Sequence, residues 1–306
     1  MSESPQEGVA TSFEGRTPLL KIFLVFLRLG FTSFGGPVAH LGYFRDEFVE
    51  RRKWIEERAY ADLVALCQFL PGPASSQVGI GVGLARGGLL GAFVAWTGFT
   101  MPSALALIAF GYGVVAYQDV VNSGVLHGLK VVAVAVVAQA VWGMARNLCP
   151  DAKRATLAVL AACAVLAAPT PLAQIGVIVI GGLAGLVFLR AETPMEHVPL
   201  GINVNRRLAV ASLLLFFVGL IGLPILATAY PSHTLALVES FYSSGSLVFG
   251  GGHVVLPLLQ SEVVPSGWVS NDAFLAGYGA AQAVPGPLFT FAAYLGAVLE
   301  PVPNGL

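Results

Sequence analysis

Apolar residues in this chain gather in long blocks, not in the short alternating or three-to-four-residue patterns of a half-buried soluble fold. Nine blocks, roughly residues 18–44, 60–84, 88–117, 123–148, 154–168, 173–190, 206–230, 234–260 and 273–300, are long enough to cross or enter a bilayer, for which a spanning helix needs about 20 residues. Blocks 88–117, 123–148 and 206–230 predict plain spans. Blocks 154–168 and 173–190, parted by Pro169-Thr170-Pro171, predict a tight helical hairpin. The charge-rich stretch Arg45 to Arg58 predicts an amphipathic helix lying on the membrane surface.

The remaining four blocks are interrupted near their centres by Gly or Pro, and the interruptions recur in order. Phe34-Gly35-Gly36-Pro37, Trp54, Ala59-Tyr60 and Gln68-Phe69-Leu70-Pro71-Gly72-Pro73 return as Phe249-Gly250-Gly251-Gly252, Trp268, Ala273-Phe274 and Gln282-Ala283-Val284-Pro285-Gly286-Pro287. The offset is 215 residues for the first element and 214 for the rest, as one deletion would produce. An ordered recurrence of this kind is the mark of a duplicated unit. It divides the chain into a polar tail (1–16), a first repeat (17–190), a linker (191–205, with Pro194 and Pro199) and the start of a second repeat (206–306).

Charge then sets orientation. All 16 Lys and Arg residues lie at or before Arg207, so the Ser261 to Asp272 loop, which matches Arg45 to Arg58, has none. By the positive-inside rule the first loop is cytoplasmic and the second is not, and the repeat is inverted. If each interrupted block is a re-entrant hairpin of two half-helices, all the basic ends, Arg86 included, face one side. The alternative is two kinked full spans per copy, which puts Arg16 and Lys21 on the wrong side from Arg45 to Arg58. The predicted fold is therefore all-α: a polytopic membrane protein with inverted repeats and Gly/Pro-broken re-entrant hairpins.

Composition agrees with a membrane class. Residues are 56% hydrophobic and 11% charged, against about 25% charged in a soluble domain, and mean hydropathy is +0.78. A net charge of −1 speaks against a nucleic-acid partner. Cys67, Cys149 and Cys163 show no CxxC spacing and read as packing residues, with no metal site. No apolar signal core precedes the first block, and residues 1–16 read as a short disordered cytoplasmic tail. No Walker A, GxSxG or HExxH run is present, so neither an enzyme, nor an ATP-driven pump, nor a cofactor is expected.

Backbone that leaves helical bonding inside a membrane is tolerated only where it lines protein or a watery cavity. Four related breaks thus predict a shared central site. Half-helices beginning after Pro71-Gly72-Pro73 and Pro285-Gly286-Pro287 would aim free N–H groups and positive dipole ends at the midplane, where an anion is favoured. Gln68, Gln282, Ser75, Ser76, Gln77 and Thr290 add neutral donors. Arg28, inside the first block, is expected to meet the substrate or Asp62, or else to snorkel to the cytoplasmic face. His40 and His253 would couple transport to protons, or serve as hydrogen-bonded wall residues.

The run from Gly30 to Gly88 resembles the amino-terminal signature of the chromate ion transporter family. The segments around Gly250 and Gly286 resemble the second domain of its long members. The resemblance implies a secondary transporter driven by an ion gradient, exporting chromate with sulfate as structural analogue, in the bacterial inner membrane. It carries substrate-binding positions over to Gly35, Gly36, Gln68, Pro71, Gly72 and Pro73, and to Gly250, Gly251, Gln282, Pro285, Gly286 and Pro287. The expected partners are a small inorganic anion and the lipid bilayer, with a homodimer left open. Counterparts of the third to sixth blocks are missing after Pro287, so a truncated product is expected. Sulfate uptake or exchange and a non-transporting remnant stand as alternatives.

Overall fold

The computed structural model describes residues 17–116, 149–168, 171–188, 204–248 and 255–300, with scattered helical positions between 124 and 146. Among these the secondary structure is helical throughout, without a strand. The first repeat contains α1 (Leu19–Thr32), α2 (Gly36–Arg45) continued by a π-helical turn (Asp46–Arg51), α3 (Glu57–Phe69) and α4 (Ala74–Ala116). Next come α5 (Ala152–Ala167) and α6 (Pro171–Phe188), which pack on each other. The second repeat contains α7 (Arg206–Ala229), α8 (His233–Ser246), α9 (Val255–Val263), α10 (Asn271–Ala283), a 3₁₀ turn (Leu288–Thr290) and α11 (Phe291–Val298).

The interrupted blocks fold back on themselves. Phe26 of α1 lies 5.9 Å from the Phe44 ring and 5.0 Å from Phe48, whereas a continuous helix would hold residues 26 and 44 about 27 Å apart. The reversal is made at Gly35 (φ +92°) and Gly36 (φ +76°), in the left-handed region open to glycine, with Pro37 in the first turn of α2. α3 and α4 reverse in the same way about Gly72 (φ +117°), so that Leu63 seats against Gly81. α4 turns once more at Gly88 (φ +65°), where Gly83 packs against the Gly91 backbone and Ala95. Its second leg, to Ala116, is about 40 Å long at 1.5 Å per residue, enough to cross a bilayer.

Three ends of these hairpins meet on one basic face. The Thr17 amide donates to the Arg86 carbonyl (3.0 Å) and Arg86 Nε to Thr17 Oγ1 (3.1 Å). Arg52 and Arg86 lie over the Trp54 ring, 5.4 and 5.8 Å from its centroid. Re-entrant hairpins, not kinked spans, therefore form the first repeat.

The long leg of α4 measures the inversion. Gly98 packs on the Phe23–Leu27 backbone, Ser103 lies beside Gly286, and Gly111 lies against Tyr294 and Ala297. The first leg of α4 leaves its break toward Arg86. α11, its counterpart, leaves the Pro285–Pro287 break toward Gly111, in the opposite direction. Each repeat has its own apolar core: Ile22, Phe26, Phe44, Phe48 and Phe99 in the first, and Leu259, Phe274, Phe291, Tyr294 and Leu295 in the second.

One expectation needs correction. Arg45 to Arg58 is not a single surface helix. It is a π-helical turn and a non-helical stretch before Glu57. The Phe48 carbonyl accepts from both Trp54 (2.7 Å) and Ile55 (3.3 Å), and Lys53 adopts φ +52°. Burying Trp54 and Ile55 in the core outweighs continuing the helix. The 118–123 loop, Pro169-Thr170, nearly all of the linker, the amino-terminal tail and Gly250, Gly251, Gly252 and His253 fall outside the described residues.

Candidate functional site

The three described breaks converge on one junction, and the two repeats lock there by a reciprocal pair of hydrogen bonds. The Gly72 amide donates to the Val248 carbonyl (2.7 Å), and the Gly286 amide donates to the Ser33 carbonyl (2.9 Å). Gly72 and Gly286 are equivalent positions, as are Ser33 and Val248, so each bond is the image of the other under the repeat. The amides of Gly72 and Gly286 are therefore satisfied by the opposite repeat. The first-turn amides of Ala74, Ser75 and Ser76 remain without helical partners, because an α-helix leaves its leading N–H groups unpaired.

Both glycines are needed by geometry. Each has a positive φ (Gly286, +108°). A Cβ on Gly286 would meet Ser103 Oγ at 2.6 Å, and one on Gly72 would meet the Gln77 amide at 2.7 Å. Gln77 closes the first break: its Nε2 donates to the Pro71 carbonyl (2.7 Å) and its backbone amide to the Pro73 carbonyl (2.9 Å). In the second repeat Thr290 does this locally, donating from Oγ1 to the Pro287 carbonyl (2.7 Å).

Around the junction lie buried polar atoms with no hydrogen-bond partner among the described residues: Ser33 Oγ, both ring nitrogens of His40, Gln77 Oε1, Thr100 Oγ1 and Gln282 Nε2, the last beside the Tyr278 side chain. Buried polar groups are almost always paired in folded proteins, so these atoms mark a place that water or a polar guest would satisfy. The His40 ring sits beside the Ser33 backbone and edge-on to Phe99, 5.4 Å between centroids. Ser33 itself bonds Gly286, and Thr100 lies one turn from Ser103, whose hydroxyl donates to the Thr100 carbonyl (3.0 Å). Ser33 and His40 are fully buried, as nearly are Ser75 (3% exposed) and Ser76 (7%).

The expected site residues thus divide. Gly72, Gly286, Pro71, Pro73, Pro285, Pro287, Ser75, His40 and Gln282 belong to the junction. Gly35 and Gly36 form the neighbouring α1–α2 turn. Gln68 is exposed on the last turn of α3. Arg28 is exposed on the outer face of α1, in a groove with Lys21 and Arg52. Ser33, Thr100 and Ser103 were absent from the sequence reading. Their signal was Thr97, Thr100 and Ser103 at three-residue spacing beside Pro102, inside an otherwise apolar span. Among the described residues no group of three or more His, Cys, Asp or Glu side chains is placed to hold a metal.

A sequence profile of the chromate transporter family matches residues 20–186 and 235–306. The chain belongs to the chromate transporter family. The family member described here is 29% identical over 285 residues to a probable chromate transport protein of Synechococcus elongatus, covering 91% of this chain and 69% of that one. It is 25% identical over 294 residues to the chromate transport protein of Pseudomonas aeruginosa (91% and 66%). It is 26% identical over 294 residues to that of Cupriavidus metallidurans (94% and 69%). The chain spans about two thirds of the length of these relatives, and no solved structure matches it.

Proposed function

We propose that the protein is a multi-pass secondary transporter of the bacterial inner membrane that carries a tetrahedral oxyanion, chromate with sulfate as its analogue, outward through the junction of its two repeats. The observation that carries this reading is the set of buried groups able to donate, Ser33 Oγ, the His40 ring, Thr100 Oγ1 and Gln282 Nε2, without partners among the described residues around a reciprocal backbone lock, in a chain whose relatives are named chromate transport proteins. The guest sits at the amino end of α4. There the first-turn amides, the helix dipole and the hydroxyls of Ser75 and Ser76 favour negative charge. Ser33, Gln282 and His40 supply the facing donors. No Lys or Arg is among these residues, so the dianion is held by neutral donors and released without breaking an ion pair.

The buried junction corresponds to an occluded arrangement. Access from either face requires one of the two glycine–carbonyl bonds to part, and the symmetry of the pair makes the two openings mirror events. Sulfate transport is the second reading, since the same donors fit any tetrahedral dianion of this size. The deciding experiment is flux of chromate and of sulfate into and out of liposomes holding the full chain, in both orientations. Ser75→Ala and Gln282→Ala are expected to raise the KM for the carried anion about tenfold each, as loss of one good hydrogen bond to a charged group would. Unchanged flux kinetics in both variants would overturn the site.

A further inference from the structure

We infer that the groove lined by Lys21, Arg28 and Arg52 on the outer face of α1 is a binding site for the headgroup of an anionic phospholipid. The groove has a volume of about 370 Å³ and is walled by Pro18, Leu20 and Leu24, with the three cations and no carboxylate on its lining. Lys21 and Arg28 stand seven residues apart on α1, hence on one helical face. Leu20 and Leu24, 69% and 53% exposed, share that face. Leu20, Leu24 and Val25 stand beside these cations in one groove, so an apolar wall for an acyl or glycerol portion adjoins charges for a phosphate.

Charge makes the case for a negative occupant. Arg52 is partly neutralised, since its Nε donates to Glu47 Oε1 (2.6 Å), but Glu47 also takes Arg51 (2.9 Å) and has no charge left over. Lys21 and Arg28 have no ion pair among the described residues. Arg28 ends the third turn of α1, at a depth where an unpaired guanidinium facing hydrocarbon is costly. Snorkelling toward Lys21 and Arg52 relieves part of that cost, and a phosphate in the groove supplies the missing counter-charge. The groove opens on the basic face, which the positive-inside rule assigns to the leaflet rich in anionic lipid.

The test is lipid titration of the purified full chain, read by native mass spectrometry and thermal unfolding, with phosphatidylglycerol, phosphatidylcholine and inorganic phosphate as separate probes. Phosphatidylglycerol is expected to bind and to raise Tm, with the gain falling as salt rises. Phosphatidylcholine and inorganic phosphate should do neither. Lys21→Gln and Arg28→Gln should each weaken the lipid about fivefold, the worth of one interfacial cation, while Lys153→Gln leaves it unchanged. Equal binding of phosphatidylcholine, equal protection by inorganic phosphate, or an equal loss in Lys153→Gln would each overturn the proposal. The acidic residues Glu3, Glu7 and Glu14 precede the groove in sequence. If phosphatidylglycerol binds only after residues 2–15 are deleted, the chain's own tail is the occupant and the inference fails. The wild-type titration needs no variant, so a substitution that misfolds does not shield the idea.

Discussion

The two repeats share a backbone and differ in charge. In the first, the outer cap is cationic: Glu47 is clamped by Arg51 and Arg52, and Trp54 stacks on Phe48 (5.4 Å between centroids, 14° between planes) beneath Arg52 and Arg86. In the second, the equivalent Glu262 meets, among the described residues, a Ser240 hydroxyl at 3.3 Å and stands near Glu239. Trp268 takes the edge of His233 (5.3 Å), and Glu300 occupies the place of Arg86. Yet the turn is the same: the Phe48 carbonyl accepts from Ile55 at 3.3 Å, and the Val263 carbonyl accepts from Val269 at 3.1 Å. One folding unit, used in two orientations, keeps the main-chain bond of this turn and changes the charges that decide which solvent its cap faces.

Labelling breaks or upholds this comparison outright. In a background lacking Cys67, Cys149 and Cys163, Lys53→Cys and Ser266→Cys should react with impermeant thiol reagents from opposite sides of sealed vesicles; reaction from one side would destroy the inversion. Gly286→Ala comes next. Its Cβ meets Ser103 at a strained φ, so a loss of about 2–4 kcal/mol is expected in detergent unfolding. Gly72→Ala should cost less, because its obstacle is the far end of the Gln77 side chain, and Gln77→Ala should recover part of that loss.

The caps separate more finely. Glu47→Ala strands two arginines and should cost about 1–3 kcal/mol, whereas Glu262→Ala should be near neutral. Smallest is a pH effect. Burial, and then the Glu239 carboxylate, push the Glu262 carboxyl above its ordinary 4.5. Its proton is held more tightly in the native state, so its contribution is present at low pH and is lost as pH rises past that shifted value. Glu262→Gln should flatten this slope in Tm measured across pH 4 to 8.

The hairpins and their inversion were legible because they rest on residues with special backbone chemistry. Gly35, Gly72 and their proline neighbours mark reversals wherever they fall, and Lys and Arg report sidedness by themselves. The reciprocal lock was not legible, since each of its bonds joins residues in different repeats and involves only main-chain atoms. Arg45 to Arg58 misled because its charges have a helical rhythm, while the turn is dictated by where Trp54 and Ile55 must be buried. Ser33, Thr100 and Ser103 were passed over because hydroxyls in apolar helices commonly bond their own backbone, as Ser103 does and as the other two do not.

The same lock sets a clock on assembly. The Gly72 amide finds its acceptor only when Val248 has emerged, and at about 5–20 residues per second the intervening chain takes roughly 10–35 s to synthesise. For that interval the first repeat sits in the insertion machinery with an unmet main-chain donor at its heart. Slowing or speeding translation between the halves therefore acts on the yield of correctly joined protein, even when every codon change is silent.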